Sequence, residues 1–276
     1  MILKYISHTG QEYDLKTKGG LRARSLTAHT YEWSPNVTSQ QYGDKVNRFD
    51  KKSVKYKLKL DVAGTIEERK AQLNALHSAF ESDIFAMSPG KLVHGDYYVQ
   101  CYMSKSETQY SKPDTENNIE IYCPYPFWIK ENAYSFLPQE STESANLYLD
   151  YDYGFDYDYM SQESGQGIIR NPGAGAANYR LIVYGPATDP ILSIDNRTIG
   201  VYTTIAAGEY LVIDSRDNTV IRRMANGETV NLYNNRVKTG TSIFDKISPG
   251  QHSVIWAGTY GFEITVFEER SEPAWS

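Results

Sequence analysis

Residues 53–81 read SVKYKLKLDVAGTIEERKAQLNALHSAFE, and two hydrophobic periods meet in them. In the first ten, Val54, Tyr56, Leu58 and Leu60 alternate with Lys55, Lys57 and Lys59. A strand sends successive side chains to opposite faces, so this stretch predicts a strand with one apolar and one lysine-bearing face. Three lysines on one face could meet a polyanion, but a solvated face is the commoner meaning of such a pattern. After Gly64 the period changes. Thr65 and Glu68 have the spacing of a capping box, and Ile66, Leu73, Leu76 and Phe80 fall on one helical stripe. The stretch therefore predicts a strand followed by one amphipathic helix, about residues 66–81, laid on a sheet. His77, beside the stripe, reads as a core or surface histidine rather than a ligand.

Further strand signals in the first half lie at 3–6, 21–33, 92–103 and 118–123. Between Tyr31 and Tyr56 runs NVTSQQYGDKVNRFDKK, polar and long for a hairpin tip. From about residue 168 a second run follows, with IIRNPG, YRLIVYG, PILSID, YTTIAAGEYLVIDS, TVIRRM, GETVNLY and HSVIWAG separated by turn clusters. Short strands at this spacing with no helix between them predict a β-sandwich. Asn171-Pro172-Gly173 is a turn rather than a phosphate cradle, since no helix follows it. At 276 residues the chain is about twice the commonest domain length, which favours two domains.

Composition narrows the function. Tyr outnumbers Phe by 23 to 9, which suits strands and contact surfaces where a ring is buried and its hydroxyl stays wet. A net charge of −6 argues against a duplex nucleic-acid binder, which needs a basic face. The N-terminus MILKYISHTGQEYD reads as neither signal peptide nor membrane span, giving the expectation of a chain made in the cytoplasm. Cys101 and Cys123 flank one loop and read as buried free thiols.

No chemical motif stands out. The five histidines form no close metal-binding pair, and Ser253 beside His252 lies in no nucleophile elbow. The most regular feature is LDYDYGFDYDYM at 149–160, where Tyr151, Tyr153, Phe155, Tyr157 and Tyr159 alternate with Asp150, Asp152, Asp156 and Asp158. As a calcium loop it places Gly154 one position early and Ser161 where a bidentate Glu belongs. As a glycosidase site it lines carboxylates along one open face instead of across a cleft. Tyr rings with Asp acceptors could hold a sugar, but one buried or interfacial strand face explains the alternation more economically. Catalytic residues, a metal and a cofactor are accordingly not expected.

Three features together resemble the phage distal tail (Dit) family. These are a strand-rich first half with one capped helix closing in CPYPFWIKE at 123–131, an Asp/aromatic stretch at a junction, and a second β-domain from NPGAGAANYRLIVYGPATDPILSID to EERSEPAW at 268–275. The resemblance implies a mainly β protein with an N-terminal split-barrel-like domain at 1–135 and a galectin-like C-terminal β-sandwich at 136–276, with a junction strand at 147–160. It implies a homohexameric ring joining the tail tube to the baseplate or tip of the virion, with DNA passing unbound through the lumen. The expected neighbours are the tail tube protein, a tail-associated lysin or tail fibre protein, and receptor-binding proteins, with no membrane insertion. A hairpin within 31–56 would grip the next subunit, making Tyr31, Trp33, Tyr42, Phe49 and Tyr56 interface candidates. The five ladder aromatics would face the domain junction or a partner. The rival expectation is a carbohydrate-binding sandwich that recognises host-surface glycans.

Overall fold

The computed structural model describes residues 2–16, 20–110, 115–138 and 165–274. It is mainly β with one α-helix, and the chain forms two compact units: Met1–Lys130 with Glu269–Ser276, and Glu131–Glu268.

Unit 1 contains β1 (Leu3–Ile6), β2 (Glu12–Asp14), β3 (Leu21–Leu26), β4 (Ser34–Ser39), β5 (Asp44–Asp50), β6 (Val54–Val62), α1 (Ile66–Phe85), β7 (Gly90–His94), β8 (Tyr97–Tyr110), β9 (Thr115–Cys123) and the start of β10 (Trp128–Phe136). β8 belongs to two strand sets. Its first residues pair with β7, from His94↔Tyr97 to Gly90↔Cys101, and its later ones with β9, from Tyr102↔Tyr122 to Tyr110↔Thr115. The register shifts between Met103 and Lys105, where an irregularity bends the strand so that it can serve both sets. One set runs β2-β1-β7-β8 and the other β3-β6-β9-β8.

The expected alternation in β6 is present: Tyr56, Leu58, Leu60 and Val62 are buried while Lys55, Lys57 and Lys59 are exposed. The lysine face is laced with acids. Lys55 pairs with Glu120 at 2.8 Å, and Arg24 pairs with Asp61 and with Glu116. The signal read at 92–103 is a hairpin, β7 to β8, turning through Gly95 at φ +63°. Cys101 and Cys123 are buried free thiols whose pKa values burial raises, Cys123 to about 12.

In α1 both bonds of the capping box are made, Thr65 Oγ1 accepting from the Glu68 amide and Glu68 from the Thr65 amide. Leu73, Leu76 and Phe80 are buried as the stripe requires, but Ile66 is 48% exposed. Its expected place inward is taken by Arg69, which donates to Thr115 Oγ1 at 3.1 Å while its stem packs. Near the end of the helix Asp83 is wholly buried. It accepts from Tyr5 Oη and from the His8 amide at 3.0 Å, and its other contact is His8 Nδ1 at 2.7 Å. Gly90 lies against this cluster, where a Cβ would stand 2.4 Å from Asp83 Oδ2 and 2.5 Å from Tyr5 Oη.

Unit 2 contains the end of β10, then β11 (Gly165–Asn171), β12 (Tyr179–Tyr184), β13 (Ala187–Thr188), β14 (Ile191–Ile194), β15 (Arg197–Gly200), β16 (Thr204–Ile205), β17 (Tyr210–Asp214), β18 (Thr219–Arg223), β19 (Thr229–Asn231), β20 (Gly250–Trp256) and most of β21 (Phe262–Arg270). One sheet follows β19-β18-β17-β12-β21-β10 and a second follows β11-β20-β14-β15. Leu181, Ile213, Ile264 and Val266 from the first share a core with Ile169, Leu192, Ile194 and Val254 from the second, which makes a sandwich. Phe136, Trp256 and Phe262 meet within it, Phe136 stacking on Phe262 at 4.7 Å. Two glycines admit these rings: a Cβ at Gly165 would stand 2.4 Å from Trp256, and one at Gly167 would stand 2.1 Å from Phe136. β21 carries the chain out of unit 2, and the residues from Glu269 belong to unit 1.

Candidate functional site

The segment between Tyr31 and Tyr56 forms a hairpin that makes its own two-stranded sheet. Ser34 faces Asp50 and Ser39 faces Asp44, and Gly43 sits in the turn at φ +77°. All of β5 and all of β4 beyond Ser34 are exposed. Tyr42 at the tip is 88% exposed and Phe49 58%; Val37 and Val46 are also open to solvent. A lone two-stranded hairpin is marginal in water, and these apolar side chains lie outside both cores.

The roots of the hairpin are held differently. Lys51, just past β5, places Nζ 4.5 Å from the centre of the Phe127 ring, 5.4 Å from Trp33 and 5.8 Å from Tyr31. The ammonium is shielded from solvent and finds no hydrogen-bond acceptor among the described residues. Burial pushes its pKa down to about 8. Attraction to ring faces is the compensation available there, about 0.5–2 kcal/mol per contact. Trp33 in turn donates Nε1–H to Ser271 Oγ at 3.2 Å. Tyr125 packs on Phe127 at 5.3 Å and donates to Glu269 Oε1 at 2.7 Å. Both ends of the hairpin, the loop before β10 and the returning C-terminal residues thus meet in one cluster.

Of the five hairpin candidates, Tyr31, Trp33, Tyr42 and Phe49 lie on the hairpin or its root and are exposed. Tyr56 does not join them: it is 1% exposed, and its Oη accepts from Trp128 Nε1 at 3.1 Å. Its place is the core of unit 1, because β6 turns its even-numbered side chains inward, and burial raises its pKa to about 12. Tyr151, Tyr153, Phe155, Tyr157 and Tyr159 lie outside the described residues.

A second cluster, in unit 2, has the makings of a catalytic triad without its geometry. His252 Nδ1 lies 2.7 Å from Asp195 Oδ2, while Nε2 lies 2.8 Å from the Ser248 carbonyl oxygen. Ser253 donates its hydroxyl to Asp195 at 3.3 Å rather than to the imidazole. Ser248 Oγ is 3.5 Å from Nε2, farther than that residue's own carbonyl. Both ring nitrogens are therefore occupied by oxygen acceptors, and neither Ser248 nor Ser253 is poised as a nucleophile. The hydrogen bond from His252 holds the Asp195 carboxyl below its ordinary range. The adjoining pocket, about 380 Å³, is lined by Asp195, Asn196, Arg197, Thr241, Lys246 and His252 among others, with no Tyr, Trp or Phe in its lining. Arg197 points its guanidinium at the carbonyls of Asp245 and Lys246, so much of the lining is already hydrogen-bonded. Among the described residues no group of three or more His, Cys, Asp or Glu could hold a metal ion, and no helix is long and apolar enough to cross a membrane.

These two units, with one capped helix in the first and a sandwich in the second, define a mainly β fold of the distal tail (Dit) type, as the sequence resemblance implied. No protein-family model matches the chain, and no curated protein matches it. Among solved structures it is similar to Dit of phage SPP1, described as a paradigm of the hub adsorption apparatus in phages infecting Gram-positive bacteria. That likeness has 8% identity and a TM-score of 0.62, and covers 98% of this chain and 100% of that one. It is also similar to a chain of the phage P2 baseplate in its activated conformation with Ca, at 13% identity and TM-score 0.65 over 99% of this chain and 100% of that one. The same baseplate with Sr gives 13% and 0.64 over the same shares. At these identities the likeness is one of fold.

Proposed function

We propose that the protein is a structural component of a phage tail, a six-membered ring that joins the tail tube to the baseplate or tip and serves as a docking hub. The observation that carries this reading is the fold likeness to SPP1 Dit and to a phage P2 baseplate chain over the whole length, together with a hairpin that exposes apolar residues and has no core of its own. Ring closure needs heterologous contacts, in which an element of one subunit lands on a different surface of the next. The hairpin supplies such an element through Trp33, Val37, Tyr42, Val46 and Phe49, with Tyr31 at its root.

In this reading the N-terminal portion, residues 1–135, forms the ring, and the C-terminal portion, residues 136–276, is a galectin-like sandwich. The sandwich is where a tail-associated lysin or tail fibre protein and receptor-binding proteins dock. The ladder Tyr151, Tyr153, Phe155, Tyr157 and Tyr159 is assigned to the domain junction or a partner face. DNA passes through the lumen without specific binding, which the net charge of −6 favours. The virion tail is the protein's place, and no turnover is expected of it. The rival reading is a carbohydrate-binding sandwich that recognises host-surface glycans; the whole-length fold likeness to Dit and baseplate chains favours the tail component over it.

The test is assembly. Light scattering behind size-exclusion chromatography, over a range of concentrations and with negative-stain imaging, should find six-fold rings. A monomer that binds glycans saturably would replace this reading with the rival one.

A further inference from the structure

We propose that Lys51 is the clamp that sets the direction of the β4–β5 hairpin, holding its two roots together by placing one ammonium against three ring faces. The proposal deepens the ring reading and rests on it for its purpose, since an arm that must land on a neighbour has to leave its own subunit at a fixed angle.

Three observations carry it. First, Lys51 follows the last residue of β5 while Tyr31 and Trp33 precede β4, so a charge from one root is packed on rings from the other. Second, the nearest ring, Phe127, belongs to neither root; it lies in the loop before β10, which ties the pair to the body of unit 1. Third, the cluster is braced by the returning C-terminal residues, Ser271 accepting from Trp33 and Glu269 from Tyr125, whose ring packs on Phe127. The hairpin strands themselves are exposed and add no core to fix their own orientation. An ammonium kept from water, with no hydrogen-bond acceptor among the described residues, is poor design for stability alone. A ring-faced cation instead gives a contact that is strong, directional and dependent on the charge. A neutral side chain of the same length would fill the space without that pull.

The experiment measures orientation directly, in the full chain kept monomeric by dilution. Nitroxide labels at Tyr42→Cys on the tip and Glu67→Cys on the exposed start of α1 report the distance distribution by double electron–electron resonance. Cys101 and Cys123 are buried and stay unlabelled. The wild-type background and Lys51→Arg should give one narrow distribution. Lys51→Met and Phe127→Leu, which remove the charge and the nearest ring, should each broaden it about twofold or more. Circular dichroism of the same samples establishes that each variant is folded. A narrow distribution in Lys51→Met, or a broad one in the wild-type background, overturns the clamp. Failure of the ring reading looks different: the distribution is narrow, as the clamp requires, yet the concentrated, unlabelled wild type with Tyr42 intact never forms rings.

Discussion

At the scale of single residues, the ammonium of Lys51 and the carboxyl of Asp83 make opposite predictions when each is removed. Lys51 is lowered by burial from the ordinary 10.5 to about 8, so between those values the unfolded chain binds more protons than the folded one. Stability must then rise with pH across that window, because deprotonation relieves a charge held away from water. The melting temperature of wild type relative to Lys51→Met should climb between pH 7.5 and about pH 10, and at pH 7 the Met variant should melt no lower than wild type. A clamp residue that costs stability is separable in this way from an ordinary core contact. Asp83 should behave as the latter. It accepts from Tyr5 and from the His8 amide in a fully buried site, so Asp83→Ala strands those donors and should cost about 3 kcal/mol in urea denaturation. None of these pairings was legible from sequence. Lys51 read as part of a polar tip, and nothing in the spacing of residues 31, 33, 51 and 127 announces that the fold brings them together. Tyr56 follows the hairpin in sequence, but its place on the apolar face of β6 puts it in the core of unit 1.

At the scale of elements, local patterns were the legible part. The capping box of α1 and the alternation of β6 are set by neighbours three and two residues apart, and both appear as read. Thr65→Ala should accordingly lose about 1 kcal/mol of stability, measured by thermal or urea melts. The glycines of β11 were not legible, because their meaning lies in what crosses over them. Gly167 admits the Phe136 ring, and Gly167→Ala should destabilise by about 1–3 kcal/mol, since the ring must leave its stack with Phe262. The return of the C-terminal residues to unit 1 likewise depends on contacts far apart in the chain, Ser271 with Trp33 and Glu269 with Tyr125. The hairpin itself was readable as a polar tip of unusual length. Its exposed apolar residues acquire meaning only once the structure shows that no sheet lies beneath them. Replacing Tyr42, Val46 and Phe49 together by Ser, Lys and Lys should leave the melting of the monomer nearly unchanged, because these side chains contribute little burial, while abolishing assembly.

At the scale of the whole molecule, an acidic chain with 23 Tyr has the composition of strands and contact surfaces. The units are stabilised by two separate cores, one around Tyr5, Leu58, Leu76 and Trp128, the other around Leu181, Ile213, Val254 and Ile264. Apolar surface left outside them is gathered in part on the hairpin, where a second subunit would cover it. The order of elements made the overall fold legible from sequence despite identities of 8% and 13% to the solved Dit and baseplate chains, because strand alternation and helix capping are local patterns that many residue choices satisfy. The account turns on self-association through the hairpin. The most direct test is light scattering with negative-stain imaging on wild type and the Tyr42/Val46/Phe49 triple variant at matched high concentration. It predicts six-fold rings of six 31.3 kDa chains for wild type and a folded monomer for the variant. A 31.3 kDa species for wild type at every concentration, or rings that survive the triple substitution, would contradict it.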